Sequence, residues 1–123
     1  MTLRGQRLFV RPIEAADRQA LQAFLAAHGD ATIPEAGLIG KLVGNLVAVL
    51  SMEMTADSIR IDDLIVAREM RRKQIGRVML RELAELAAKM ERDWLVVERG
   101  DGREFLRRVG FVEDGARMVR RVR

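Results

Sequence analysis

The sequence predicts one α/β domain, in which antiparallel hairpins and a parallel strand–helix–strand unit share a sheet. Three observations carry this. "GLIGKLVGNLVAVLSMEM", 37–54, is two apolar runs about a Val-Gly-Asn break, the pattern of a tight hairpin. From Ile59 to Glu98 a β-rich run, a long helical pattern and a second β-rich run follow one another, which reads as two parallel strands joined by a helical crossover. A chain of 123 residues, 49% hydrophobic and 33% charged, suits a single core, so residues 1–123 are read as one domain.

The elements follow in order. A short strand covers Arg7–Arg11, and Pro12 ends it or marks an edge. A helix from about Glu14 to Ala27 places Leu21, Phe24, Leu25 and His28 on one face by their spacing of three and four, with Gly29 as the residue that closes it. Residues 31–36 are a loop around Pro34. In the second strand of the hairpin, Leu46, Ala48, Leu50, Met52 and Met54 share one face by period two. Residues 55–58 turn the chain into the strand 59–66. There the apolar positions slip from odd, Ile59 and Ile61, to even, Leu64 and Val66, across Asp62-Asp63. One inserted residue, a β-bulge, produces such a slip, and so does a strand end buried on both faces.

A helix from Ile75 to about Glu91 buries Met79, Leu80, Leu83, Leu86, Ala87 and Met90. A short strand, 94–98, follows. Asp101 caps a short helix with Phe105, Leu106 and Val109 inward and Gly110 as its stop. The remaining residues close the chain as a hairpin or a ragged last strand, its arginines blunting a sheet edge.

Composition narrows the chemistry. There is no cysteine, which removes disulfides, thiolate metal sites and a cysteine nucleophile, and fits a reducing cytoplasm. The one histidine, His28, cannot build a multi-histidine metal site, and at a helix end it reads first as a structural residue. The most apolar run, 38–50, is too short to span a bilayer, and Arg4, Arg7 and Arg11 break up any leader-like stretch, so no membrane role is expected. A net charge of +4 favours polyanions or a phosphate-bearing cofactor. Nucleic acid is the weaker partner: aromatic residues are 4% of the chain, too few for a stacking platform.

The stretch "REMRRKQIGR", 68–77, concentrates the functional signal. Arg71, Arg72, Lys73 and Arg77 surround the start of a helix, where backbone amides lack partners and the helix dipole is positive. A pyrophosphate is at home in such a place. A solvated basic turn has the same composition.

At this point the chain resembles the GNAT acetyltransferase superfamily. Its central motif, Gln/Arg-x-x-Gly-x-Gly/Ala after a bulged strand, is similar to Arg71 through Gly76, with Gln74 in place of the first glycine. "FVRPIEAADRQAL" resembles the family's opening strand and helix, and "FLRRVGF" its late helix ending in Gly-Phe. The resemblance implies a mixed, mostly antiparallel sheet with helices on both faces and a β-bulge in the strand before the CoA loop. It implies acetyl-CoA as cosubstrate, its diphosphate held around Arg71, Arg72, Lys73, Gln74, Ile75, Gly76 and Arg77. The pantetheine arm would lie along Leu64, Ile65 and Val66, with an amide near Leu64 or Ile65 polarising the acetyl carbonyl. It implies transfer to an amine of a small molecule or a protein.

Two positions depart from the family. Gln74 carries a side chain where glycine is usual, so a positive φ there would be strained. Leu106 stands where many members have the tyrosine that protonates the leaving thiolate, and the chain has no tyrosine. A CoA- or anion-binding module without efficient turnover is therefore the alternative to an N-acetyltransferase. For a base that neutralises the amine, the candidates are Glu53 and Asp62 or Asp63, with Glu53 and Asp63 preferred on the expectation that adjacent strands aim both at the cleft. The segment from Ala26 to Gly40, where this family sets acceptor choice, is short. That leaves the cleft open to a large acceptor or to a second copy of the chain, the latter favoured if Met52 and Met54 are exposed.

Overall fold

The computed structural model describes residues 2–3, 6–28, 32–71, 74–98 and 102–123, with backbone alone for Thr2, Leu3 and Gln6. Among these, eight strands form one sheet: β1 (Thr2–Leu3), β2 (Gln6–Pro12), β3 (Gly37–Leu42), β4 (Asn45–Met54), β5 (Ser58–Val66), β6 (Trp94–Val97), β7 (Val112–Asp114) and β8 (Arg117–Arg121). Their spatial order is β1-β2-β3-β4-β5-β6-β8-β7. Every neighbouring pair is antiparallel except β5 and β6. The helices are α1 (Arg18–Ala27), α2 (Ile75–Lys89) and α3 (Arg103–Arg108). This is the mixed, mostly antiparallel architecture expected, and α2 is the crossover between the parallel pair. No helix among the described residues is long and apolar enough to cross a membrane.

The β3–β4 hairpin turns at Val43-Gly44, both with positive φ (50° and 79°), the type I′ geometry that matches strand twist. At its far end Gly37 lets the strands close up: a Cβ there would lie 1.9 Å from the Leu50 carbonyl oxygen.

Two apolar layers flank the sheet. On one face Leu38, Ala48, Leu50, Met52, Ile59, Ile61 and Leu95 meet Ile75, Met79, Leu80 and Leu83 of α2, and Leu106 of α3 and Phe111 belong to the same cluster. On the other, Ile39 and Val49 meet Leu21 of α1. Helices therefore cover both faces, as the resemblance implied.

Four local expectations change. The first helix begins with a 3₁₀ turn, Ala15–Asp17, because Asp17 folds back to cap Glu14. The Glu14 N–H donates to Asp17 Oδ2 at 2.7 Å, while Arg11 donates to both carboxylate oxygens at 2.8 and 2.7 Å. Strand β4 is buried on four consecutive residues, Val47–Leu50, rather than on alternate ones. Helix α1 covers its second face, and a register shift opposite Gly40/Lys41 leaves Val47 without a partner on β3. Met52 is buried in the core, so it offers no dimer surface. In α2 the buried face includes Ile75 and Val78, whereas Met90 is exposed, since the helix ends at Lys89. Gly29 and Asp101, read as helix-terminating and capping residues, lie outside the described residues; the N-cap position of α3 is Gly102.

Candidate active site

The parallel strands β5 and β6 pair only over Ser58–Arg60 and Trp94–Val96. Beyond that they part. The opening leads into a cavity of about 1240 Å³, walled by β5 from Ile61 to Val66, by Val97, by the start of α2, by Phe105 and Leu106 of α3, and by His28 at the end of α1. A cavity at the limit of a parallel pairing is a common ligand position in sheets of this kind.

The bulge that the sequence suggested forms its rim. Ser51 pairs with Asp63 and Met52 with Ile61, which leaves Asp62 unpaired. Past the bulge the ladder orientation can be followed residue by residue. The Ala67 N–H donates to the Val47 carbonyl at 2.7 Å. Antiparallel pairing alternates, so Ile65 and Asp63 also turn their backbone groups to β4. Leu64 and Val66 turn theirs to the opening, where no strand among the described residues pairs with them. The Leu64 N–H is held meanwhile by its neighbour, donating to Asp63 Oδ1 at 2.9 Å.

The opposite wall is the α2 N-terminus. After a 3₁₀ turn at Arg68–Met70 the chain runs extended through Arg71. It enters α2 from Gln74, whose φ of 61° and ψ of 20° lie in the left-handed region. The conformation the family gives to glycine is thus adopted here by glutamine. Its side chain is exposed and makes no capping hydrogen bond to the helix. The amides of Ile75, Gly76 and Arg77 have no acceptor within the helix and open on the cavity. Gly76 serves packing too, since a Cβ would come within 3.3 Å of the Phe105 ring and 3.5 Å of Leu64.

Of the residues singled out in the sequence, Leu64, Ile65, Val66, Arg71, Gln74, Ile75, Gly76 and Arg77 are brought to this one cavity, and so is Asp63. Arg72 and Lys73 lie outside the described residues. Ile65, one of the two amides considered for the acetyl carbonyl, faces β4 instead, leaving Leu64. Glu53 is not brought to the cavity. It sits opposite Arg60, below the bulge, and its carboxylate pairs with the Arg60 guanidinium at 2.8 Å. Arg60 also binds Asp62 at 2.9 Å, and Asp62 first, then Glu53, hold that guanidinium above its ordinary pKa. The expectation that Glu53 and Asp63 point together into the cleft fails at Glu53: the bulge puts both acids on one face of the sheet, but Glu53 sits opposite Arg60, two positions along β4 from Ser51, the partner of Asp63, and is held there by the guanidinium.

Sequence reasoning missed His28, Phe105 and Arg108 as wall residues. Phe105 and Arg108 flank the Leu106 that the late motif does mark. His28 carried a signal only in being the single histidine, at the end of an amphipathic helix. Leu106 itself is buried in the wall and offers no proton.

The sequence matches the family described as Acetyltransferase (GNAT) domain over residues 20–113. Comparison with curated proteins gives no match. Among solved structures, the fold is similar to N-acetylglutamate synthase from Neisseria gonorrhoeae complexed with coenzyme A and N-acetyl-glutamate, with a TM-score of 0.78 at 16% identity. That match covers 95% of this chain and 35% of that one, so this chain spans about a third of that enzyme's length. The ribosomal-protein-S18-alanine N-acetyltransferase from Escherichia coli matches with a TM-score of 0.76 at 14% identity, over 94% of both chains. A GNAT family N-acetyltransferase from Escherichia coli in complex with CoA matches at 0.71 and 16%, over all of this chain and 86% of that one. At these identities the likeness establishes the fold.

Proposed function

The chain belongs to the GNAT acetyltransferase family, and from that premise we propose that it binds acetyl-CoA in the cavity between β5 and β6 and transfers the acetyl group to an amine. The observation that carries the reading is the pairing of two sets of backbone groups across one cavity: the first amides of α2, which the chain enters through left-handed Gln74, and the edge of β5 beyond the bulge, where Leu64 and Val66 turn away from β4.

Each wall suits one part of the cosubstrate. The amides of Ile75, Gly76 and Arg77 suit the diphosphate, with Arg71 and Arg77 adding full charge and Arg72 and Lys73 adjoining in sequence. Leu64 and Val66 present backbone groups to which an extended pantetheine arm adds like a strand. Ile65 and Val66 supply apolar wall. Bound acetyl-CoA supplies an activated acyl group. The Leu64 N–H is the donor for its carbonyl, in competition with the Asp63 carboxylate that now holds it. Once displaced, that carboxylate lies at the mouth where a cationic amine arrives. The acceptor is an amine of a small molecule or a protein.

A second reading rests on Leu106: without the usual proton donor, the protein holds CoA and turns over little. One experiment addresses both. Acetyl-CoA at one hundred times its dissociation constant adds about 2.7 kcal/mol, a rise in Tm of roughly 10 °C for a domain of this size. The joint substitution of Arg71 and Arg77 by Glu weakens binding at least tenfold, about 1.4 kcal/mol. CoA release over a panel of amino acid, polyamine and N-terminal peptide amines then separates transfer from binding alone. No change in Tm at millimolar acetyl-CoA would sink both readings.

A further inference from the structure

We propose that His28 is a catalytic residue, its Nε2 taking the proton from the acceptor amine; this rests on the acyl-transfer reading above. His28, at the end of α1, lines the cavity. Its Nδ1 lies 2.8 Å from the Phe24 carbonyl oxygen. A carbonyl only accepts, so Nδ1 carries the hydrogen and donates it. In the neutral ring that leaves Nε2 with its lone pair and no hydrogen. The ring is held in place, half-buried, with its centroid 4.4 Å from that of Phe24. A helix-end hydrogen bond that looked merely structural therefore fixes the tautomer a base requires.

The charged side chains that face the cavity with His28 are Asp62 and Asp63 on β5, Arg71 ahead of α2, Arg77 on α2 and Arg108 on α3. Asp62 is bound by Arg60 and Glu53 lies off the cavity. Asp63, released once the acetyl carbonyl takes the Leu64 amide, is left as the counter-charge to the arriving amine. An imidazole is by its chemistry a stronger base than a carboxylate and suits proton transfer near neutrality. In the step itself the amine nitrogen bonds to the thioester carbonyl carbon and its proton passes to Nε2. The C–S bond then breaks, and the thiolate leaves with that electron pair and takes a proton from water. The imidazolium returns its proton to water, leaving amide and free thiol.

The test compares the wild-type protein with His28→Asn, whose amide nitrogen reaches the place of Nδ1 and keeps the bond to Phe24 while removing Nε2. Acetyl-CoA is expected to raise the Tm of both equally. At pH 7 kcat for the best amine of the panel falls about 100-fold, and the pH profile of kcat/KM loses one limb, keeping only that of the amine. Imidazole restores turnover to His28→Ala. The ¹⁵N shifts of this single histidine are expected to report hydrogen on Nδ1. Equal turnover with an unchanged profile in His28→Asn overturns the proposal, as does hydrogen on Nε2. Wild-type protein stabilised by acetyl-CoA yet inactive on every amine overturns it together with the acyl-transfer reading and leaves binding alone, whereas a fully active His28→Asn overturns the role of His28 only. No stabilisation by acetyl-CoA removes the reading beneath it.

Discussion

Gln74 shows how far a single residue can be read before its backbone is seen. The motif marks it as the residue in a glycine's place, and strain is expected if its φ is positive; the value is 61°. A side chain in the left-handed region costs about 1–2 kcal/mol, while glycine gives back part of that gain through the freedom of the unfolded chain. Gln74→Gly is accordingly expected to raise stability by about 0.5–1 kcal/mol. It should also tighten acetyl-CoA binding, since the open backbone comes nearer to the diphosphate. Urea midpoints and a ligand titration check the two parts separately, and a lower midpoint would mean that the glutamine side chain makes a contribution its exposure does not suggest. Glu53 and His28 were harder to place. The place of a strand carboxylate depends on register and on its partner: Glu53 falls opposite Arg60 and is held there, short of the cavity that Asp63 reaches. His28 needed the Phe24 carbonyl in position before its tautomer had any meaning.

Elements were legible where their pattern broke against a uniform background. The apolar phase of β5 slips across two aspartates, and the bulge is found there, at Asp62. A second register shift, beside Gly40/Lys41, left no mark in the sequence. Its strand reads Leu-Val-Ala-Val-Leu, and with helices over both faces every one of those positions tolerates an apolar side chain, so parity carries no information. The turn between β3 and β4 was placed from Val-Gly-Asn, but not its type. Val43 has φ of 50° and is exposed, a β-branched residue where asparagine or glycine is usual. Val43→Asn is expected to stabilise the protein by about 1 kcal/mol, seen as a higher denaturant midpoint with an unchanged slope. A midpoint that falls would place the Val43 side chain in packing that its exposure does not reveal.

At the scale of the whole molecule, local pattern reached the hairpins and the strand–helix–strand unit. The mixed, mostly antiparallel character of the sheet came from the family resemblance, and the order in which the strands lie side by side was not read at all, because long-range pairing has no local signature. One tie between layers was invisible for the same reason. Asp17, buried at the start of the α1 layer, accepts two hydrogen bonds from Arg11 on β2 and one from the Glu14 amide. The Arg11 hydrogen bonds first, then that amide, lower its pKa from 3.8 to about 2. A carboxylate whose pKa is depressed by folding stabilises the protein fully above its unfolded value. That contribution is lost as pH falls through the folded one, here from about pH 4 to pH 2. Because the Arg11 side chain is 38% exposed, solvent screening holds the effect to about 1–2 kcal/mol. Asp17→Asn removes the titration and leaves the other carboxylates in place. The stability gap between wild type and variant, taken from urea midpoints, is therefore expected to be constant above pH 5 and to narrow steadily toward pH 2. A gap of the same size across that whole range would mean that Asp17 acts through shape and hydrogen bonding alone, with no charge of its own at stake in holding α1 to the sheet.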